Sequence, residues 1–211
     1  MTPSDSPLQR ERGTRPDLAA ADTPPAWLEA AYAHLVSDAN ALLGSWAPPS
    51  PEQASLRDEY LQLLADDPLA VAKAGPPGHL TASALVFDAN HTHVLLTHHR
   101  KARLWLQFGG HLEPSDPTVL AAAIREIREE SGLTQVAVIP EIAQLDRHRL
   151  VGDFGRCRYH WDVRFAAVTA TRAEPTVSEE SLDVAWWPLD GLPATVADEL
   201  GDLITASRRL L

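Results

Sequence analysis

The sequence predicts an α/β fold in which helices cover both faces of a central sheet and a helical segment precedes that sheet. Three observations support this. Apolar residues recur at helical spacing between residues 28 and 63, short β-rich runs begin after residue 78, and a strongly patterned helix at 117–131 lies between predicted strands. The chain of 211 residues suits one elaborated domain, or one domain with an appendage.

The chain divides by composition into three parts. Residues 1–22 are polar with no periodicity, which predicts a disordered tail. Residues 23–75 predict a helical extension, in which one helix follows Thr23-Pro24-Pro25 and a second starts at Ser50-Pro51 and ends near Asp67-Pro68. Residues 76–211 predict the main domain. The apolar stripes of the two helices are Leu28, Tyr32, Leu35, Ala39 and Leu42, then Leu56, Tyr60 and Leu63.

The main domain alternates between strands and helices. Its β-rich runs are bounded by turn residues, such as Gly75-Pro76-Pro77-Gly78 and Asp88-Ala89-Asn90. The expected strands lie at 79–87, 93–97, 104–108, 135–139, 143–149, 158–169 and 183–188, and the expected helices at 117–131 and 194–209.

Charge and cysteine content exclude several classes of protein. A net charge of −11 argues against a protein that binds duplex nucleic acid. No apolar run is long enough to span a membrane, and the N-terminus lacks the apolar core of a secretory signal. The single cysteine, Cys157, fits a reducing compartment, so we expect a cytoplasmic protein. We interpret Cys157 as a lone buried or half-buried thiol rather than a nucleophile. Because His148 and His160 lack zinc-ligand spacing to each other or to the cysteine, the sequence predicts no zinc site.

The most informative segment is Gly109–Leu133, GGHLEPSDPTVLAAAIREIREESGL. Asp116 precedes Pro117 and predicts a helix N-cap, and Gly132 predicts the helix end. Glu126, Glu129 and Glu130 share one side of this helix, where like charges cost about 0.2–0.5 kcal/mol per pair. Because carboxylate oxygens are the ligands that Mg²⁺ and Mn²⁺ prefer, the cluster predicts a divalent-metal site.

The run REIREESGL at 125–133 resembles the second half of the Nudix box, in which an Arg-Glu pair, two adjacent glutamates and a glycine recur at fixed spacing. Gly110 matches the leading glycine of the box, and Asp116 stands at the position of its first acidic residue, which is usually Glu. Eight residues separate Asp116 from Arg125, whereas the box has seven. Asp116 therefore either orients Arg125, as its family counterpart does, or only caps the helix.

Membership of the Nudix superfamily implies an α/β/α sandwich with a mixed sheet over about residues 79–205. The resemblance also implies that Glu126, Glu129, Glu130 and the Gly109 carbonyl bind Mg²⁺ or Mn²⁺, and that Arg125 holds the glutamates in position. A carboxylate takes the proton from the attacking water. Glu180, six residues before Trp186, resembles a further metal-binding glutamate of some Nudix enzymes and is a second candidate for this role.

The function that we expect is divalent-metal-dependent hydrolysis of a diphosphate linkage in a small, nucleotide-derived substrate. His111, Arg100 and Arg164 are candidate substrate contacts. The alternative is a non-catalytic ligand-binding or regulatory module on the same fold, although such modules usually lack one or more of the box glutamates. Isomerisation of isoprenoid diphosphates is a weaker alternative, because it needs a cysteine before the box. The sequence leaves three roles open for the helical extension, which are to cap the cleft, to pack beside the sheet or to form a homodimer interface.

Overall fold

The computed structural model describes residues 8–10, 26–150 and 155–211. Among these residues, none of the helices has the length and apolar character that a membrane crossing requires. The described residues form four α-helices and eight strands. The helices are α1 (Ala26–Ser45), α2 (Pro51–Asp66), α3 (Val119–Ser131) and α4 (Leu200–Ser207), and a short 3₁₀ helix spans Pro68–Val71.

The strands form one mixed sheet. They are β1 (Leu8–Arg10), β2 (Gly78–Asp88), β3 (His93–His99), β4 (Trp105–Leu106), β5 (Phe108–His111), β6 (Ala137–Leu150), β7 (Tyr159–Thr169) and β8 (Ser181–Pro188). The order is β1-β6-β7-β2-β3-β4, with β5 paired to β2 and β8 paired to β3. The central β2–β7 pair is parallel, and the other pairs are antiparallel.

Strand β2 shows how the sheet separates two apolar layers. Its side chains alternate between faces, as they must in a pleated strand. Leu80, Ala82, Ala84 and Val86 belong to the large core beneath α1, α2 and α3. Leu85 and Phe87 belong to a second core that includes Leu200 and Leu203 of α4. Helices therefore cover both faces, which confirms the predicted fold class.

The helical extension packs on the sheet through polar as well as apolar contacts. The hydroxyl of Tyr60, in α2, lies 2.7 Å from the Asp146 carbonyl and 3.1 Å from the Asp162 carbonyl. The Gln53 side chain accepts a hydrogen bond from the Leu145 N–H at 2.8 Å and donates to its carbonyl at 2.9 Å. Side chains of α2 thus bind backbone groups of β6 and β7 and fix the position of the extension on the sheet.

Several boundaries differ from the sequence expectation. The strands expected at 135–139 and 143–149 are one strand, β6, whose register shifts between Val138 and Gln144. An irregularity of this kind interrupts the alternating pattern without ending the strand. The strand expected at 104–108 is two short strands, β4 and β5, and the last helix covers Leu200–Ser207 only. Of the tail expected at 1–22, only Leu8–Arg10 lie among the described residues, and they pair with β6.

We predict that Tyr60→Phe destabilises the protein by about 1–3 kcal/mol, because two buried carbonyls lose their contact with the hydroxyl. Denaturant unfolding measures this change. Ser45→Ala is the matched control, since it deletes an exposed hydroxyl from the same extension, and its effect should stay within about 0.5 kcal/mol. Equal unfolding free energies for Tyr60→Phe and the unmodified protein would contradict the proposed anchoring.

Candidate active site

Helix α3 carries the acidic side chains, and its ends are defined by local chemistry. Thr118 is the N-cap and its hydroxyl accepts a hydrogen bond from the Ala121 N–H at 3.0 Å. The prediction that Asp116 caps this helix is therefore wrong. Gly132 ends the helix with φ of 72°, a left-handed conformation that glycine adopts without strain, as predicted.

Asp116 instead binds Arg125. Arg125 Nε donates to Asp116 Oδ1 at 2.9 Å, and Nη2 donates to Oδ2 at 3.0 Å, so the pair is bidentate. Asp116 also accepts from the Glu113 N–H at 2.8 Å, which closes the turn before the helix. Of the two roles left open by the sequence, Asp116 has the orienting one. The contact forms although eight residues, one more than in the box, separate Asp116 from Arg125.

The other donors of Arg125 reach the glutamates and the preceding strand. Nη1 lies 2.9 Å from Glu126 Oε1 and 3.0 Å from Glu129 Oε2, and Nη2 donates to the His111 carbonyl at 2.8 Å. All five N–H donors of the guanidinium are thereby used. Arg125 holds two glutamates of α3 and the end of β5 in one arrangement.

The glycine pair lets strand β5 approach the acidic face of α3. A Cβ added at Gly110 would lie 2.5 Å from Glu126 Oε1, so this carboxylate occupies space that only glycine leaves open. The Gly109 N–H donates to Glu130 Oε1 at 3.1 Å. The backbone of β5 and the carboxylates of α3 therefore face each other across one cleft, which Glu129 also lines.

Burial makes two of these carboxyl groups hard to ionise without a cation. Burial raises the pKa of Glu130 to about 8, with further increases from nearby Glu126, Glu180 and Glu129, against the Gly109 hydrogen bond. Burial also raises the pKa of Glu126 to about 7, although Arg125 lowers it. The Glu129 side chain is 57% exposed. This all-oxygen donor set, with insufficient cationic partners, fits Mg²⁺ or Mn²⁺.

The loop before β8 brings a fourth carboxylate to the same cleft. Glu180 lines it together with the three glutamates of α3. Arg100 holds this loop, since its guanidinium donates to the carbonyls of Glu179 and Ser181, both at 2.9 Å, and its N–H donates to the Glu180 carbonyl. Arg100, a predicted substrate contact, thus binds the protein's own backbone.

The other two predicted substrate contacts lie in different surroundings. His111 lines the acidic cleft, and burial lowers its pKa to about 3. Arg164 has no exposed surface, and its guanidinium is held by Asp146 at 3.0 Å, Asp162 at 2.9 Å and Glu199 at 3.4 Å. Arg164 therefore makes its contacts within the protein and does not line the acidic cleft, although His160 and Asp162 of the same strand face line a neighbouring cavity.

Two residues of the cleft were missed in the sequence. Tyr32 of α1 donates to the Leu112 carbonyl at 3.2 Å and lines the cleft, as does the exposed Lys73. Tyr32 appeared only as a member of the apolar stripe of α1, and Lys73 belongs to no motif. Whether these two side chains reach the cleft depends on how the helical extension packs, and no local sequence pattern indicates that packing.

A second cavity adjoins the acidic cleft and shares Gly109, Gly110 and Glu130 with it. Its wall includes Thr81, Gln107 and other polar side chains of the sheet face beneath α4. Gln107 Oε1 is buried and accepts no hydrogen bond from the part of the chain that the structure describes. This cavity offers a hydrogen-bond acceptor to a group held next to the carboxylates.

We predict that Asp116→Asn lowers the free energy of unfolding by about 1–3 kcal/mol, because an amide nitrogen then faces the guanidinium of Arg125. Thermal or denaturant unfolding measures the change. The exposed pair Arg57–Asp58 gives the control: Asp58 is 66% exposed, and Asp58→Asn should have little effect. Similar losses for both variants would show that Arg125 does not depend on Asp116.

Comparisons with known proteins agree with this geometry. A family model described as the NUDIX domain matches residues 77–206. The curated proteins gave no significant match. Among solved structures, a NUDIX-family hydrolase from Clostridium perfringens is 25% identical with a TM-score of 0.51, covering 63% of this chain and 98% of that one. A MutT protein from Methanosarcina mazei is 22% identical with a TM-score of 0.50, covering 64% and 95%. An Ap4A hydrolase from C. elegans is 18% identical with a TM-score of 0.50, covering 60% and 93%.

Proposed function

The chain belongs to the Nudix hydrolase family and is thus a pyrophosphohydrolase, and we propose that it cleaves a diphosphate linkage in a nucleoside diphosphate joined to another moiety, with Mg²⁺ or Mn²⁺. One observation carries the proposal. Four carboxylates, from Glu126, Glu129, Glu130 and Glu180, converge on one cleft in which the guanidinium of Arg125 already has all its donors engaged.

The metal ligands that we propose are the carboxylates of Glu126, Glu129 and Glu130 and the carbonyl of Gly109. Their oxygen atoms suit a hard divalent cation, and the burial that raises the pKa of Glu126 and Glu130 supports the proposal, since a bound cation favours the ionised carboxylates. When bound, Mg²⁺ or Mn²⁺ neutralises diphosphate oxygens and promotes ionisation of a bound water. Arg125 keeps Glu126 and Glu129 in place for this purpose rather than binding substrate itself.

Glu180 is our candidate for the group that accepts the proton of the attacking water. It lies on the loop opposite α3, and its side chain is exposed to the cleft. The glutamates of α3 are committed to Arg125, to the Gly109 N–H or to metal, whereas Glu180 comes from a separate element. A carboxylate in this position can take a proton and release it to solvent after phosphorus–oxygen cleavage.

In this proposal, the two adjoining cavities bind different parts of the substrate. Lys73 on the wall of the acidic cleft favours a negatively charged diphosphate there. The second cavity, which Thr81 and Gln107 line, has a volume of about 90 Å³ and admits only a small part of the attached group. Gln107 Oε1 has no hydrogen-bond partner among the described residues and can accept a hydrogen bond from an amino or hydroxyl group there. A nucleoside carries both kinds of donor.

We expect Glu129→Gln and Glu130→Gln each to abolish turnover while the protein stays folded, with losses of about 10²-fold or more, because several kcal/mol of charge stabilisation depends on the metal ligands. The measurement is a screen of nucleoside triphosphates, nucleoside diphosphate sugars and dinucleoside polyphosphates with Mg²⁺ or Mn²⁺, followed by phosphatase-coupled phosphate detection. Circular dichroism checks folding.

Glu141→Gln is the control for those variants, since Glu141 is an exposed glutamate of β6 outside the cleft and its loss should leave the rate unchanged. Full activity of Glu130→Gln with metal present would overturn the proposed site. Binding of nucleotides that stabilises the protein thermally without product release would instead favour the non-catalytic module.

The role of Glu180 has its own test. We predict that Glu180→Gln lowers kcat by about 10²–10⁴-fold, the range typical of a lost general base. The neighbouring Glu179→Gln should be near normal, because Glu179 is also exposed but does not line the cleft. Comparable kcat values for the two variants would exclude Glu180 as the base.

A further inference from the structure

Three histidines and the single cysteine meet at one end of the sheet, beside the acidic cleft. They are His79 at the start of β2, His111 at the end of β5, His160 at the start of β7 and Cys157 just before β7. One nitrogen of each histidine and the Cys157 sulfur all lie within 4.8 Å of one another. Residues far apart in the sequence are thus brought together by the β5–β2–β7 pairing.

The hydrogen bonding of His79 leaves one nitrogen without a partner. Its Nδ1 lies 2.9 Å from the Pro76 carbonyl, and because a carbonyl only accepts, Nδ1 must carry the proton. Nε2 of the neutral ring is then a bare lone pair. This nitrogen is buried and has no hydrogen-bond partner among the described residues, and the side chain of His79 is only 1% exposed. A backbone carbonyl on one ring nitrogen is a frequent way to orient a metal-binding histidine.

A second buried nitrogen in the cluster has the same property. His160 Nε2 also has no hydrogen-bond partner within the described parts of the chain. Its ring packs 5.6 Å from that of His79 and 5.1 Å from that of His111, measured between centroids. Two buried ring nitrogens that lack hydrogen-bond partners lower the stability of a folded protein unless a ligand binds them.

The spacing fits a tetrahedral ion. Cys157 Sγ lies 3.7 Å from His111 Nε2. Zinc bonds of about 2.3 Å to sulfur and about 2.1 Å to nitrogen place such atoms roughly 3.6 Å apart in a tetrahedral site. Pairs at the outer limit of the cluster close by roughly 1.2 Å when the ion binds.

We propose that His79, His111, Cys157 and His160 form a four-coordinate site for a zinc-type transition metal, separate from the carboxylate site. One sulfur and three imidazole nitrogens are the donors that Zn²⁺ prefers over Mg²⁺. Binding releases the Cys157 thiol proton to solvent and forms a metal–thiolate bond. Four protein ligands leave no open position, so the site is structural rather than catalytic.

Such an ion would join β2, β5 and β7 to the segment that leads into β7. It would also hold His111, whose carbonyl accepts from Arg125 Nη2 at 2.8 Å. The metal would therefore support the strand end that carries Gly109 and Gly110 without taking part in hydrolysis.

Cobalt titration of the full chain tests the proposal independently of catalysis. Because Cys157 is the only cysteine, any thiolate-to-cobalt charge-transfer absorption must come from it. We expect one equivalent of Co²⁺ to give this absorption together with the intense visible bands of tetrahedral cobalt. Zn²⁺ should displace the cobalt, slow alkylation of Cys157 at least tenfold and raise the melting temperature.

Four variants distinguish this site from the carboxylate site. Cys157→Ser should lose the charge-transfer band, and His79→Ala should lose the tetrahedral bands, whereas His93→Ala, a histidine outside the cluster, should keep both. Glu126→Gln should also keep both, since it alters only the oxygen ligands. Cobalt binding without thiolate absorption in the unmodified protein, or alkylation of Cys157 at equal rates with and without Zn²⁺, overturns the proposal even if hydrolysis is confirmed.

Discussion

The candidate site depends on the guanidinium of Arg125. One side chain binds Asp116, Glu126 and Glu129 and the His111 carbonyl, and so joins the turn before α3, the helix itself and the end of β5. Without this cation, the carboxylates of α3 would repel one another in a half-buried cleft. With it, they stay close together but still carry excess negative charge, which is the condition for binding a divalent cation.

Arg164, which is fully buried, organises a separate group of carboxylates. Arg164 lies in the centre of the sheet among Asp146, Asp162 and Glu199, and Asp162 also accepts hydrogen bonds from Thr81 and Ser83. These contacts join β2, β6, β7 and the start of α4. Three carboxylates share this one guanidinium, and donors within the protein complete their contacts, since the Thr81 and Ser83 hydroxyls bind Asp162 and the His148 ring binds Asp146. This network holds the sheet together, whereas the glutamates held by Arg125 line the acidic cleft.

The helical extension contributes to the site as well as to the core. Asp38 of α1 accepts from the Val119 N–H at 2.7 Å, at the first turn of α3, and His34 Nε2 lies 2.8 Å from the Asp116 carbonyl. Together with Tyr32, which contacts the Leu112 carbonyl, α1 supports the turn that presents Asp116 to Arg125. The extension is therefore a structural support of helix α3 and of one cleft wall.

The sequence alone determined the features that follow from local spacing. Helical periodicity placed α1, α2 and α3, and the spacing of Glu126, Glu129 and Glu130 put their carboxylates on one side of a helix. Tertiary structure decided what depends on strand pairing and packing. It made Thr118 rather than Asp116 the helix cap, enclosed Arg164 among carboxylates, and brought His79, His111 and His160 beside Cys157 through β5–β2–β7 pairing. The spacing of residues along the chain does not indicate which distant strands will pair. Only the folded sheet therefore defines the contacts between those strands.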